Sequence, residues 1–131
     1  MFDNSKKKLI FAAVTLIVLA FQTSAVFAEN SAYPDADVST IAEDASDLLR
    51  HANREILAKE FAKANKYLED GIKALGDLYY MPNVIDDTGM KLTLAEIEEK
   101  DGHIETSANL RKNVLTSRLS LYKTKFGISN K

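Results

Sequence analysis

Apolar residues between Ile41 and Leu75 fall into two helical stripes that do not share a phase. Ile41, Ala45, Leu48, Leu49, Ala52 and Ile56 step by three or four, the spacing of one buried helix face. Leu57, Phe61, Ala64, Leu68, Ile72, Leu75 and Tyr79 repeat the step. Ile56 and Leu57 are adjacent, so the second stripe is turned by about 100° from the first. Two architectures satisfy this pattern: an αα-hairpin turning near Lys59, or one long helix with a wide apolar face. The hairpin is favoured, because a helix of nearly forty residues far exceeds the usual ~11–12. Thr40 and Glu43 fit a capping box at the start of the first helix, which then runs to about Ala58. The second helix is predicted from about Phe61 to Leu78. Pro82 lacks an amide proton and restricts Met81, so it ends the helix near Tyr79 or Tyr80.

The connection from Tyr80 to Gly89 mixes Met81, Val84 and Ile85 with turn formers and the adjacent acids Asp86 and Asp87. Its ordinary role is to plug the end of a bundle with Tyr79, Tyr80, Met81, Val84 and Ile85, while Asp86, Asp87 or Thr88 caps the next helix. The functional alternative is an aromatic and acidic binding loop. A third helix follows over about Met90 to Lys100, with Met90, Leu94 and Ile97 in one stripe beside Leu92 and Ala95, and Gly102 as its C-terminal cap. A fourth runs from near Glu105 to Phe126 and stops at Gly127. Ile104, Ala108, Leu115, Leu119, Tyr122 and Phe126 form its stripe, widened by Leu110, Val114 and Leu121. The resulting fold class is all-α, a four-helix up-and-down arrangement of two αα-hairpins. Ala52, Ala64, Leu68, Ile97, Ala108 and Leu115 are predicted to be buried, and Lys63, Lys66 and Lys112 exposed.

The first 28 residues read as an export signal. Lys6, Lys7 and Lys8 precede an apolar run from Leu9 to Phe21, and Val26-Phe27-Ala28 suits signal peptidase cleavage after Ala28. The run is shorter than the ~20 residues a membrane span prefers, and an uncleaved N-terminal anchor is the minority alternative. This divides the chain into a signal peptide (1–28), a flexible leader (29–38), a helical domain (39–127) and a C-terminal tail (128–131). The expected location is periplasmic or secreted. With no Cys in the sequence, lipid attachment at a cysteine, covalent haem attachment and disulfides are excluded. Removing the signal leaves 14 basic and 18 acidic residues. That mild acidity argues against nucleic acid as a partner.

The two hairpins share a spacing, and in this the chain resembles the tetratricopeptide repeat, which pairs antiparallel helices with small residues at their crossing. Ala52, Phe61, Ala64, Leu68 and Gly71 carry the resemblance in the first hairpin, with Lys59 where Gly is usual. Ala95, Gly102, Ile104, Ser107 and Val114 carry it in the second, with Arg111 where an apolar residue is expected. The extra length between the units lies in the Tyr80–Gly89 connection, and the repeat's terminal Pro is missing. The resemblance implies a peptide- or protein-binding scaffold without chemistry of its own. Two units are fewer than the three or more such repeats usually need, which points to a divergent bundle or to self-association.

Catalytic signatures are missing from the sequence, and the chain is expected not to be an enzyme and to hold no cofactor. His51 and Glu55 stand four apart on one helix face, yet two ligands do not make a metal site, and their neighbours Asn53 and Arg54 suggest solvated surface. No ferritin-type Glu-x-x-His pair, zinc-protease helix, phosphate-binding loop or nucleophile elbow occurs. Charge is the stronger signal. Residues 29–49 hold six acids and no base, and residues 106–131 hold six bases and no acid. These charges either solubilise each end, pair the ends, or make the last helix a basic amphipathic surface for an anionic partner or lipid. The leading expectation is a protein-protein interaction or self-association module, with Tyr79, Tyr80, Met81, Asp86, Asp87, Arg111, Arg118 and Lys123 as partner-binding residues. A small-ligand or metal-binding bundle using the Tyr79–Asp87 loop, and a binder of anionic membrane surfaces through the last helix, are the alternatives.

Overall fold

The structure, a computed structural model, describes residues 37–129. The export signal and leader residues 29–36 therefore lie outside the described residues. Four helices account for the fold: α1 (Val38–Leu57), α2 (Phe61–Leu75), α3 (Thr88–Lys100) and α4 (Ile104–Phe126). No strand occurs among the described residues, so the fold class is all-α.

The phase change between the two stripes marks a break between α1 and α2, which pack together across a three-residue turn. Its bonding is that of a Schellman cap. Lys59 N donates to Ile56 O at 2.9 Å and Glu60 N to Glu55 O at 2.8 Å, with Lys59 in the left-handed region at φ 62°. The same turn recurs 43 residues later. Gly102 N donates to Glu99 O at 3.0 Å and His103 N to Glu98 O at 2.8 Å, with Gly102 at φ 88°. The shared hairpin spacing is thus built on one hydrogen-bond pattern, with Lys in the first turn where the second has Gly.

α4 is the hub. It packs against α1, α2 and α3, whereas α3 packs against no helix but α4. Three neighbours require a wide buried face, and Ser107, Ala108, Arg111, Val114, Leu115, Leu119 and Tyr122 supply it. The main core joins Ile41, Ala45, Ala52, Ala64, Leu68 and Leu75 to Ala108, Leu115, Leu119 and Tyr122. At the α2–α4 crossing Gly71 is buried, and a Cβ there would stand 2.7 Å from Leu115 Cδ2. The small residue lets the helices approach.

Several boundaries and faces differ from the predicted ones. α1 begins at Val38, so Thr40 lies inside the helix and the Thr40–Glu43 capping box is not the start. α2 ends at Leu75 rather than near Leu78, because Gly76 takes φ 52° and its amide closes on Ile72 O and Lys73 O. α3 begins at Thr88, and its buried residues are Thr88 and Ala95. Ile97, predicted to be core, is 50% exposed, and its stripe-mates Met90 and Leu94 are exposed as well. Thr88 and Ala95 are buried and Leu92 is half-buried on the face toward α4, which leaves Met90, Leu94 and Ile97 outward. Lys112 is half-buried, while Lys63 and Lys66 are exposed. Ile128, assigned to the tail, packs against the core.

Candidate functional site

Three features surround α3. The first is its outer face. Met90, Leu94 and Ile97 follow each other at i, i+4 and i+7, so their side chains line one side of the helix. They are 77%, 44% and 50% exposed, and Ile85, three residues before the helix, is 98% exposed. Scattered apolar residues on a surface need no explanation, but a contiguous row is the mark of a contact surface. Near it in sequence stand Asp86, Asp87, Glu96, Glu98 and Asp101, against the two bases Lys91 and Lys100.

The second is a clasp that ties the Tyr79–Asp87 connection to α4. The Arg118 guanidinium carbon lies 4.3 Å from the centre of the Tyr79 ring, a cation–π contact. Arg118 Nε donates to Thr88 Oγ1 at 2.7 Å, and Thr88 Oγ1 and N donate to Asp86 Oδ1 at 2.7 and 3.0 Å. Asp86 thus satisfies the first amide of α3 through its own turn. Lys125 Nζ donates to Tyr80 O at 3.0 Å. Burial raises the Tyr79 phenol above its usual range, partly opposed by the Arg118 charge. Burial alone would raise the Asp86 carboxyl too, but the two bonds from Thr88 and the Arg118 charge prevail and lower it.

The third is a buried polar cluster between α2, α3 and α4. Arg111 is 4% exposed. Its Nη1 is shared among Asn65 Oδ1 at 2.8 Å, Ser107 Oγ at 2.8 Å and Glu99 Oε1 at 2.7 Å, and its Nη2 lies 3.4 Å from Glu69 Oε2. Asn65 Nδ2 in turn donates to Ile104 O at 3.4 Å. Burying this charge is tolerable because Nη1 and Nη2 face acceptors from α2, α3 and α4.

Among the residues expected to bind a partner, Tyr79, Asp86 and Arg118 come together in the clasp. Arg111 is a correction, since it is enclosed by internal acceptors and presents no charge to the outside. Tyr80 is 53% exposed, Asp86 and Asp87 are exposed, and Met81, Arg118 and Lys123 are half-buried. Of the residues expected to plug the bundle, Tyr79 packs on the core, joined by Leu78, whereas Tyr80, Val84 and Ile85 are 53%, 39% and 98% exposed. His51 meets the Tyr67 ring edge-on at 5.2 Å. Among the described residues no three His, Cys, Asp or Glu side chains converge as metal ligands, and no helix is long and apolar enough to cross a membrane.

No family model, curated protein or solved structure matches this chain.

The candidate site is therefore the outer face of α3, which the sequence pattern had assigned to the core. A signal for the true inner face was present. Thr88, Leu92, Ala95 and Glu99 also recur at helical spacing. Asn65 beside one apolar stripe, and Ser107 and Arg111 four apart in another, likewise marked a buried polar contact.

Proposed function

We propose that this chain is an exported, non-catalytic interaction module that receives a protein partner or a second copy on the outer face of α3. One observation carries the reading: a helix attached through a single neighbour turns Met90, Leu94 and Ile97 to solvent. Covering such a row gains hydrophobic free energy that folding alone leaves unused. Tetratricopeptide-like hairpin spacing supports the same class of role, a scaffold whose surface rather than chemistry is its function. The competing readings lose support for physical reasons. Tyr79, Asp86 and Arg118 already satisfy one another, which leaves the connection fewer free groups for a small ligand. With Arg111 enclosed and Arg118 clasped, α4 offers less positive charge to an anionic membrane than its sequence suggests.

The test is capture from native extract with the protein and with a Leu94→Glu, Ile97→Glu variant. Both positions are exposed, so stability should change by no more than about 0.5 kcal/mol. Loss of bound protein with an unchanged melting temperature is the expected result. Equal capture by both forms would overturn the proposal.

A further inference from the structure

The charge around the outer face of α3 narrows its occupant. Resting on the reading above, we infer that a basic amphipathic helix of another protein docks there, its apolar side chains on Leu94 and Ile97 and its Lys or Arg side chains against Glu98 and Asp101. Several charges near the row are already engaged within the molecule. Asp86 accepts from Thr88, Asp87 lies 3.6 Å from Lys91, and Glu99 turns inward to Arg111. Lys91 is drawn toward α4, where its Nζ donates to Asn113 Oδ1 at 2.7 Å. That leaves Glu96, Glu98 and Asp101 on and beside α3 against Lys100, and Glu105, exposed in the first turn of α4, extends the acidic corner. Glu98 stands four positions past Leu94, and Asp101 four past Ile97, so each acid adjoins an apolar member of the row. Asp101 is exposed, and Glu98 keeps 26% of its side chain exposed while pairing with His103 Nδ1 at 2.6 Å. The carbonyl end of α3 adds further negative potential at the same corner.

Other occupants fit this combination less well. A second copy has few bases to offer, because Arg111 is enclosed, Arg118 is clasped to Tyr79 and Thr88, and Lys125 bonds Tyr80 O. An anionic lipid surface is repelled by the acidic corner. An extended peptide finds no strand edge among the described residues, so its amides would face a ridge of side chains unpaired. A helix bonds its amides internally and presents residues at i, i+3, i+4 and i+7 to such a row. α3 has 13 residues and is about 20 Å long, so a contact on it alone is smaller than the ~800 Å² per partner of a standard complex. Binding is therefore weak and steered by charge.

The probe is a synthetic peptide of about eighteen residues, long enough to hold a helix, with Leu at i, i+3, i+4 and i+7 and Lys on both flanks. Its counterpart carries Glu in place of each Lys. Fluorescence anisotropy with the full chain should show the Lys peptide bound about tenfold tighter than the Glu peptide or more, and released as salt rises. Leu94→Ser with Ile97→Ser, and separately Glu98→Lys with Asp101→Lys, should each weaken it by about tenfold, with thermal melts verifying that each variant folds. No preference for the Lys peptide, or binding that survives the Ser pair, would overturn the basic helix. The protein captured from native extract should likewise be lost from Glu98→Lys, Asp101→Lys. Capture kept by that variant but lost in Leu94→Glu, Ile97→Glu would overturn the basic partner and leave the docking face standing. Equal capture by Leu94→Glu, Ile97→Glu would overturn both. A dimer in sedimentation, or flotation with phosphatidylglycerol vesicles, that Leu94→Glu, Ile97→Glu abolishes would overturn the basic helix in favour of a second copy or of lipid.

Discussion

Replacing Arg111 with Met separates a structural from a partner-binding role for that residue. The substitution keeps most of the apolar stem and removes the guanidinium. Asn65 Oδ1 then loses its 2.8 Å donor and retains only Ser107 Oγ at 3.3 Å. A buried acceptor left poorly satisfied costs about 1–3 kcal/mol. Glu99 and Glu69 are 39% and 46% exposed, so water replaces the lost charge and each adds no more than about 1 kcal/mol. The total comes to about 1–5 kcal/mol, against roughly 5–14 kcal/mol for a domain of about ninety residues. Urea unfolding followed by circular dichroism measures it as a lowered midpoint at unchanged slope. Replacing both Asn65 and Arg111 with Leu removes the polar pair together and should recover part of the loss. A loss below about 0.5 kcal/mol in Arg111→Met, the range of an ordinary surface change, would refute the buried cluster.

Further outcomes follow from the helix junctions. Gly71→Ala should destabilise, since overpacking against buried Leu115 costs ~1–3 kcal/mol and the helix-propensity gain returns at most ~1; a higher melting temperature would contradict the close α2–α4 crossing. Lys59→Gly should raise the unfolding free energy by about 0.5–1 kcal/mol, read from urea unfolding, because relief of ~1–2 kcal/mol of left-handed strain exceeds the entropy that Gly adds to the unfolded chain. Asp86 has a folded-state pKa below its ordinary 3.8, so its stabilising effect is present above that value and is lost as pH falls through the folded pKa. Acid titration of thermal stability should show the gap between the native chain and Asp86→Ala closing in that window, and a gap independent of pH would contradict the Thr88–Arg118 clasp.

Much of the fold was legible because it rests on local patterns. Two apolar stripes out of phase revealed the break at Lys59, and Gly102 and Gly127 marked the ends of α3 and α4. What escaped depends on partners distant in sequence. Arg111 looked like a surface charge because Asn65, which accepts from it, lies 46 residues earlier. Pro82 sets a limit near Tyr79 or Tyr80 for α2, but Gly76 ends it earlier at a positive φ of 52° that few other residues adopt readily. On α3 two faces had helical spacing, and hydrophobicity favoured the one with Met90, Leu94 and Ile97. Packing on α4 buries Thr88 and Ala95 and half-buries Leu92 instead, so hydrophobicity alone did not settle which face was buried. That reversal also hid the candidate site, since a surface row of large apolar residues is indistinguishable from a core stripe by periodicity alone.

Oxidation of Met90 tests most directly whether the outer face of α3 is a covered contact surface. Met90 is 77% exposed in the single chain, and half-buried Met81 provides an internal reference. Brief exposure to a mild oxidant, read by peptide mass spectrometry, reports sulfoxide formation at each. In dilute purified protein Met90 should oxidise faster than Met81. In the protein's native setting Met90 should be protected several-fold while Met81 keeps its rate. An equal Met90 rate in both settings would contradict the contact surface.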